Sequence, residues 1–513
     1  MSAETLILLA LAIPFMGSLL VLFAGPASAN IRDGITVVTA LVLFSVVWQL
    51  IGIVDAGGHP SVTLLEMLPG LTITFSLEPL GMVFAGIASF LWIVTSFYAF
   101  GYMRGHHEKN QTRFFFCFAI AIMSAMGIAF AGNMLTLFVF YEVLTISTFP
   151  LVAHSGTDEA RRAGRVYLGI LLGTSVTFLL TAVIWTYVLT GTLDFRQGGI
   201  VAGAAPVGVI FVLFGLYIYG IGKAALMPFH RWLPAAMVAP TPVSALLHAV
   251  AVVKAGVFSV VKVSVYVFGL ETLRDTGAST WLAYVAGATI LLSSIYAMQK
   301  DNLKARLAYS TISQLSYIVL GAMLAVNVGA LGAALHIVMH AFGKITLFFC
   351  AGAIIVFAHK TEISDMRGLG RKMPVTFFCF FVAALSIIGL PPLGGVWSKW
   401  YLALGAAETG HLVLIAVLMI SSLLNIAYLI LVVLYGYFGT PKSDLAHDHH
   451  HDDHGHHAPP SHPMLRHLTF GREGIAEAPV MCLVPIVITT LGCVALFFYA
   501  DRIRQFLLPV FGG

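Results

Sequence analysis

Charge is what this chain has least of. Only 10% of its 513 residues are Asp, Glu, Lys or Arg, against about one quarter in an ordinary globular domain, so a soluble fold is excluded. Cysteine is scarce too. The five cysteines, Cys117, Cys350, Cys379, Cys482 and Cys493, are scattered without a CxxC pair, which removes iron–sulfur and zinc-ribbon sites. Four of them fall inside expected helices and read as small apolar side chains. No glycine-rich phosphate loop of the P-loop or dinucleotide type occurs, so no nucleotide or other cofactor is expected. Alternating segments of about ten residues are missing, which argues against a transmembrane β-barrel. Acid is missing where it would matter most, because the long apolar stretches hold one deep carboxylate, Glu142.

What the chain has in plenty is apolar sequence, 59% of the total. A helix needs about 20 apolar residues to cross the hydrocarbon core of a bilayer. Fourteen such segments fit between residues 4 and 500, so the expected fold is an all-α polytopic membrane protein of fourteen helices. The first segment lacks the charged leader of a signal peptide and reads as a retained helix. Loops after odd-numbered helices hold eighteen Lys and Arg residues, while loops after even-numbered ones hold only Arg196 and Arg274. Positive charge marks the cytoplasmic side, so both termini are expected outside a bacterial cytoplasmic membrane.

Against this background five lysines stand out: Lys223, Lys254, Lys262, Lys344 and Lys399 all lie within apolar stretches. A charge at bilayer depth costs several kcal/mol, so such residues line polar paths, pair, or carry ions. Lys262 lies nearest a helix end and could reach water along its own stem. Two of the lysines flank interruptions. The seventh span contains Pro228, Pro234, Pro240 and Pro242 after Lys223, and the twelfth contains Pro391-Pro392-Leu393-Gly394-Gly395 before Lys399. Proline removes a backbone donor and clashes with the preceding turn. Both spans must therefore be discontinuous, with freed carbonyls facing protein or water. Paired breaks of this kind mark ion sites in transporters, although simple proline kinks are also common.

The eleventh span places His336, His340 and Lys344 at i, i+4 and i+8, one helical face with steps of about 6 Å. Imidazole titrates near neutrality, which suits a proton relay. A zinc site is the competing reading, with lysine as a poor third ligand. On the eighth span, His248 and Lys254 differ by six residues, about 240° around an ideal helix, and should meet different neighbours. Glu142 is the natural partner for Lys223: contact stabilises the ammonium, and separation lets it release a proton. A static buried ion pair is the alternative.

The run from Lys223 to Pro234, then Ala239 to His248, resembles the antiporter-like subunits of respiratory complex I and of Mrp-type cation/proton antiporters. The Tyr141-Glu142 helix, the His336/His340/Lys344 helix and the Pro391-to-Lys399 break match it too. The resemblance spans residues from about 79 to 438 and is closest to the D-type subunit of Mrp antiporters. It implies two inverted five-helix repeats, within 111–270 and 278–438, preceded by three helices in 1–110. A histidine-rich loop at 439–478 and a last helix within 479–513 follow. It further implies Glu142 and Lys223 as a switching pair, Lys254 with His248 as connecting groups, and Lys399 as the terminal proton-exchanging residue. Expected partners are other membrane subunits, H⁺ and Na⁺ or K⁺, with no nucleic acid. The complete candidate relay is Glu142, Lys223, His248, Lys254, His336, His340, Lys344 and Lys399.

Outside that pattern lies a tract at 447–467 with nine of the 19 histidines. His449, His450, His451, His454, His456 and His457 could bind Zn or Ni weakly through interchangeable imidazoles. A pH-sensing or linker role fits the same composition. By the charge bias, the tract faces the cytoplasm.

Overall fold

The computed structural model describes residues 1–68, 70–440, 467–469 and 476–512. The histidine-rich candidates at 449–457 lie outside the described residues. The chain is mostly helical, as expected. In order, the spans are α1 (Ala3–Ala24), α2 (Ala29–Asp55), α3 (Pro79–Gly105), α4 (Gln111–Ala129), α5 (Met134–Val152) and α6 (Asp158–Thr190). Then come α7 (Val207–Gly220), α8 (Thr241–Phe268), α9 (Thr280–Gln299), α10 (Leu303–Met323) and α11 (Asn327–Ala358). The twelfth span is two pieces, α12a (Pro374–Ile388) and α12b (Gly395–Glu408), followed by α13 (Leu412–Phe438) and α14 (Val480–Phe511). Among the described residues, eleven helices are long and apolar enough to cross a membrane unaided. With α7, the α12a/α12b pair and the hydroxyl-rich α10, the total is consistent with fourteen.

Helix starts follow local chemistry. Asn133 caps α5 by accepting from the Thr136 amide at 2.8 Å, and Asn302 caps α10 through the Ala305 amide at 3.1 Å. Each satisfies an amide that has no partner within the helix. The all-helical expectation misses one element, a hairpin of β1 (Ser61–Leu68) and β2 (Leu71–Ser76) between α2 and α3. Its β-branched Thr63 and Thr74 face each other with hydroxyls 2.9 Å apart, a pairing that favours strand over helix. The Thr74 amide and the Thr72 carbonyl bond to Thr136 and Asn133 at the start of α5, which fixes the hairpin against the bundle. A second short pair, His467–Thr469 with Ala476–Pro479, precedes α14.

α11 forms the centre of the second half, packing on α10, α12a, α12b, α14, α8 and α3. Both proline-rich spans are broken. α7 stops at Gly220 and is followed by one tight turn at Gly222–Ala224 and a short helix at Trp232–Ala235. The carbonyl of Gly222, in the tight turn, accepts from the Ala225 amide at 3.0 Å and from the Trp232 indole at 3.0 Å, so the interruption carries its own internal partners. α8 then crosses so close that a Cβ at Gly256 would collide with the Lys223 carbonyl carbon. At the second break a Cβ on Gly395 would overlap the Ser386 carbonyl oxygen, so only glycine lets α12b start there.

Candidate ion-translocation site

At the first break the Lys223 side chain is fully buried. Its ammonium donates to the Tyr141 carbonyl at 2.8 Å and to the Thr145 hydroxyl at 2.5 Å, both on α5. It also lies 3.1 Å from the centroid of the Tyr141 ring, where the π face favours a cation. Glu142 is near enough to act electrostatically on Lys223. Both of its carboxylate oxygens are buried, and neither hydrogen-bonds to a described residue. Lys223 and Glu142 thus act on each other without an ion pair, the ammonium being held by Tyr141 and Thr145 instead.

The second group spans α8 and α11. Lys254 lies 2.6 Å from His340 Nδ1, and the His340 and His336 rings are 6.0 Å apart, which is the step expected from i, i+4 spacing. His336 is held on both nitrogens, by the Ser398 hydroxyl at 2.8 Å and the Gln314 side-chain oxygen at 3.1 Å. Ser398 is the residue before Lys399. The Lys399 ammonium donates to the Ile388 carbonyl at 2.9 Å and to the Ser422 hydroxyl at 3.1 Å, 4.9 Å from the Tyr317 ring. Tyr317 in turn stacks on His336 with centroids 5.6 Å apart. Polar groups thus follow one another from Lys254 to Lys399, hydrogen-bonded at Lys254–His340 and His336–Ser398 and only neighbouring at His340–His336 and Ser398–Lys399. Lys344 leaves this line and turns toward α10, donating to the Ser310 hydroxyl at 2.6 Å.

Two expectations need correction. His248 and Lys254 do not meet different neighbours, because both face α11: His248 sits against Phe348 (centroids 4.6 Å) and Lys254 against His340. His248 lies in a π-helical turn, Leu246–Val250, which changes the angular step on which the 240° rests. A further acid pairs at the end of a span. Glu78, at the N-cap of α3, holds Lys262 at 3.1 Å and accepts from the Tyr266 hydroxyl at 2.9 Å. Lys262 is 1% exposed, so it pairs instead of reaching water. All five cysteines lie in helices and are buried.

Several polar residues of the site escape sequence reasoning. Thr145, Ser310, Gln314, Ser398 and Ser422 hold the titratable groups, yet hydroxyl and amide residues are common in membrane helices. The one readable signal was on α10, where Ser310, Ser313 and Gln314 break an apolar run at helical spacing. Lys304, counted among the loop cations, lies in the first turn of α10 and donates to the Ala239 carbonyl just before α8, at 2.5 Å. No cluster able to hold a metal ion occurs among the described residues.

The family of transmembrane subunits of NADH:quinone oxidoreductases and Mrp antiporters matches residues 131–425, more than half of the chain and the whole of both breaks. The chain belongs to this family. Among its relatives is the N-type subunit of the NADH-quinone oxidoreductase of Desulforudis audaxviator, 32% identical over 453 residues, with 86% of each chain covered. The D-type subunit of the Na⁺/H⁺ antiporter of Alkalihalophilus pseudofirmus is 29% identical over 451 residues, covering 86% of this chain and 88% of that one. The A/B-type subunit of a probable K⁺/H⁺ antiporter of Rhizobium meliloti is 31% identical over 456 residues, and here the match spans only 44% of the longer relative. In fold, the chain is similar to one in the Mrp complex of Dietzia sp. DQ12-45-1b. The TM-score is 0.83 at 21% identity, covering all of this chain and 97% of that one.

Proposed function

We propose that this chain is the proton- and cation-translocating subunit of a multisubunit Mrp-type Na⁺(K⁺)/H⁺ antiporter. The observation that carries the reading is the buried line Lys254–His340–His336–Ser398–Lys399, which ends at one helix break and lies across α8 from the other. Amines and imidazoles both accept and release protons, and ionisable chains of this kind are how membrane proteins move them. The reading has Glu142 and Lys223 exchanging a proton by making and breaking contact, with the buried carboxylate poised for the ammonium. Lys254, with His248 beside it, receives the proton, and Lys399 delivers it. The relatives named as D-type and A/B-type antiporter subunits support the antiport reading. The excess of Lys and Arg after odd-numbered spans supports termini on the outside.

The test is purification of the chain in mild detergent with whatever stays bound, followed by reconstitution. Small Mrp-type membrane subunits, with Na⁺- or K⁺-dependent proton exchange in proteoliposomes, are the expected result. A second reading is favoured by the relative from an NADH-quinone oxidoreductase, which matches over 86% of both chains. A bound peripheral arm carrying flavin or iron–sulfur clusters, with proton movement that stops when electron flow is inhibited, would make the chain a redox-driven pump and sink the antiport reading.

A further inference from the structure

Of the intramembrane lysines in the second half, Lys344 has its ammonium outside the histidine line, and its surroundings are rich in hydroxyls. It donates to Ser310 on α10, whose hydroxyl lies 2.9 Å from the Tyr428 hydroxyl on α13. Tyr428 lies in a π-helical turn, Ile426–Ile430. Such a turn costs regular hydrogen bonding and recurs at functional sites. Just before it, Asn425 accepts from Tyr428 through its side-chain oxygen, while its amide nitrogen is buried with no partner among the described residues. The Tyr428 hydroxyl also faces Ser294 on α9. Ser294, Ser313 and Ser421 form a triangle of hydroxyls 3.0, 3.2 and 3.4 Å apart, all fully buried. Tyr317 faces both Ser421 and Ser422, and Ser422 holds Lys399.

We infer that these hydroxyls form a second proton wire, Lys344–Ser310–Tyr428–Ser294–Ser421–Tyr317–Ser422–Lys399, separate from the histidine line. It rests on the translocation reading above and adds to it residues that carry no charge of their own. A hydroxyl is donor and acceptor at once, so it can take a proton on its oxygen while passing its own onward. One proton leaves the Lys344 ammonium, each hydroxyl exchanges one proton for another, and one proton arrives on the free amine of Lys399. Each serine and tyrosine ends neutral. Serines in membrane helices also bond back to their own helix, as Ser294 does to the Ile290 carbonyl at 2.8 Å. Structural bonds of that kind do not call for three helices to bring their hydroxyls to one point.

The two roles make opposite predictions at the serines. For packing, Ser→Ala is mild and Ser→Thr is crowding, while a wire needs the oxygen and tolerates Thr. In the purified complex, reconstituted and shown by co-purification to be assembled, Ser294→Ala, Ser421→Ala and Tyr428→Phe should each lower proton flux about tenfold. That is less than the roughly 10²-fold or more of losing a positioned proton carrier, because the histidine line remains. Ser294→Thr and Ser421→Thr should keep most of the flux. Flux at the parental level in the Ala and Phe variants, or Thr variants worse than Ala, would overturn the wire. Lys399→Ala is the companion measurement. Its complete loss of flux beside unaffected Ala variants removes only the wire, whereas parental flux in Lys399→Ala removes the translocation reading and the wire with it.

Discussion

The two broken helices hold their lysines by the same three kinds of group and differ in a fourth. Lys223 has a carbonyl, a hydroxyl and an aromatic ring in Tyr141 and Thr145, and Lys399 has the same set in Ile388, Ser422 and Tyr317. A carboxylate, Glu142, stands by the first lysine, while no ion pair involves Lys399 among the described residues. Acids elsewhere follow the same division. In the first half Glu78 faces the ammonium of Lys262. In the second half the buried acid is Glu477, which faces the amides of Val375 and Thr376 at the start of α12a, at 2.6 and 3.3 Å. An ammonium beside a movable carboxylate can be switched by that carboxylate. One held only by dipoles must exchange its proton with the groups next along the path. On the proposed reading, the first break works as a gate and the second as a terminus.

The largest expected effect tests the gate. Glu142→Gln keeps the shape of the side chain and removes its charge, so the pair can no longer switch. Proton flux should fall by about 10²-fold or more with the complex still assembled, as for loss of a positioned proton carrier. Full exchange activity in the assembled variant would mean that the first break works like the second, and the contrast would be void.

At the terminus, Lys399→Arg is more informative than removal of the charge. Guanidinium keeps the positive charge and can bond the same carbonyl and hydroxyl, yet it does not deprotonate in proteins. If Lys399 only anchors α12b to Ile388, arginine should work. If it exchanges protons, flux should drop about tenfold or more, as for loss of general acid–base function. Proteoliposome flux at saturating gradient distinguishes the two.

A smaller effect belongs to stability. Lys262→Met leaves Glu78 half-buried without its cation, and breaking a buried pair by removing one partner costs on the order of 3 kcal/mol. The midpoint of thermal unfolding in detergent should fall, and adding Glu78→Gln should restore part of it. Equal midpoints for the single variant and the parent would show that Lys262, unlike Lys223, owes nothing to its acid.

Much of this contrast was readable in the sequence, and the limits have physical causes. Prolines at 228, 234, 240 and 242, and at 391 and 392, announce both breaks because each removes a backbone donor and several close together cannot be absorbed as a single kink. The His336/His340/Lys344 stripe follows from an unbroken α11, where 3.6-residue geometry holds. The same arithmetic failed for His248 and Lys254, where the π-helical turn at Leu246–Val250 shifts the register. Glu78 was overlooked since it precedes the Pro79 that opens α3, so it resembles a loop acid until α8 folds Lys262 onto it. The hydroxyls around Lys344 and Lys399 come from α9, α10 and α13, and only tertiary packing brings them together. The β1–β2 hairpin was hidden by the surrounding helical pattern.

The smallest effect concerns the acid that faces no lysine. Burial pushes the Glu477 carboxyl above its ordinary value of 4.5, against the opposing pull of bonds from Thr376 and Val375. The folded state then holds this proton more tightly than the unfolded chain. The sign follows: stability should decline as pH rises from about 4.5 through the raised value, since the charged form is the one the buried site disfavours. Glu477→Gln keeps an oxygen for the Val375 amide and carries no charge, so its stability should be flat across that window, a difference of about 1 kcal/mol at most. Glu477→Ala removes the cap as well and should cost about 1 kcal/mol at every pH. Unfolding midpoints of the three proteins between pH 4.5 and 7 would check this. A parent whose stability instead climbed over that range would mean that the α12a amides outweigh burial, and that Glu477 is a charged cap.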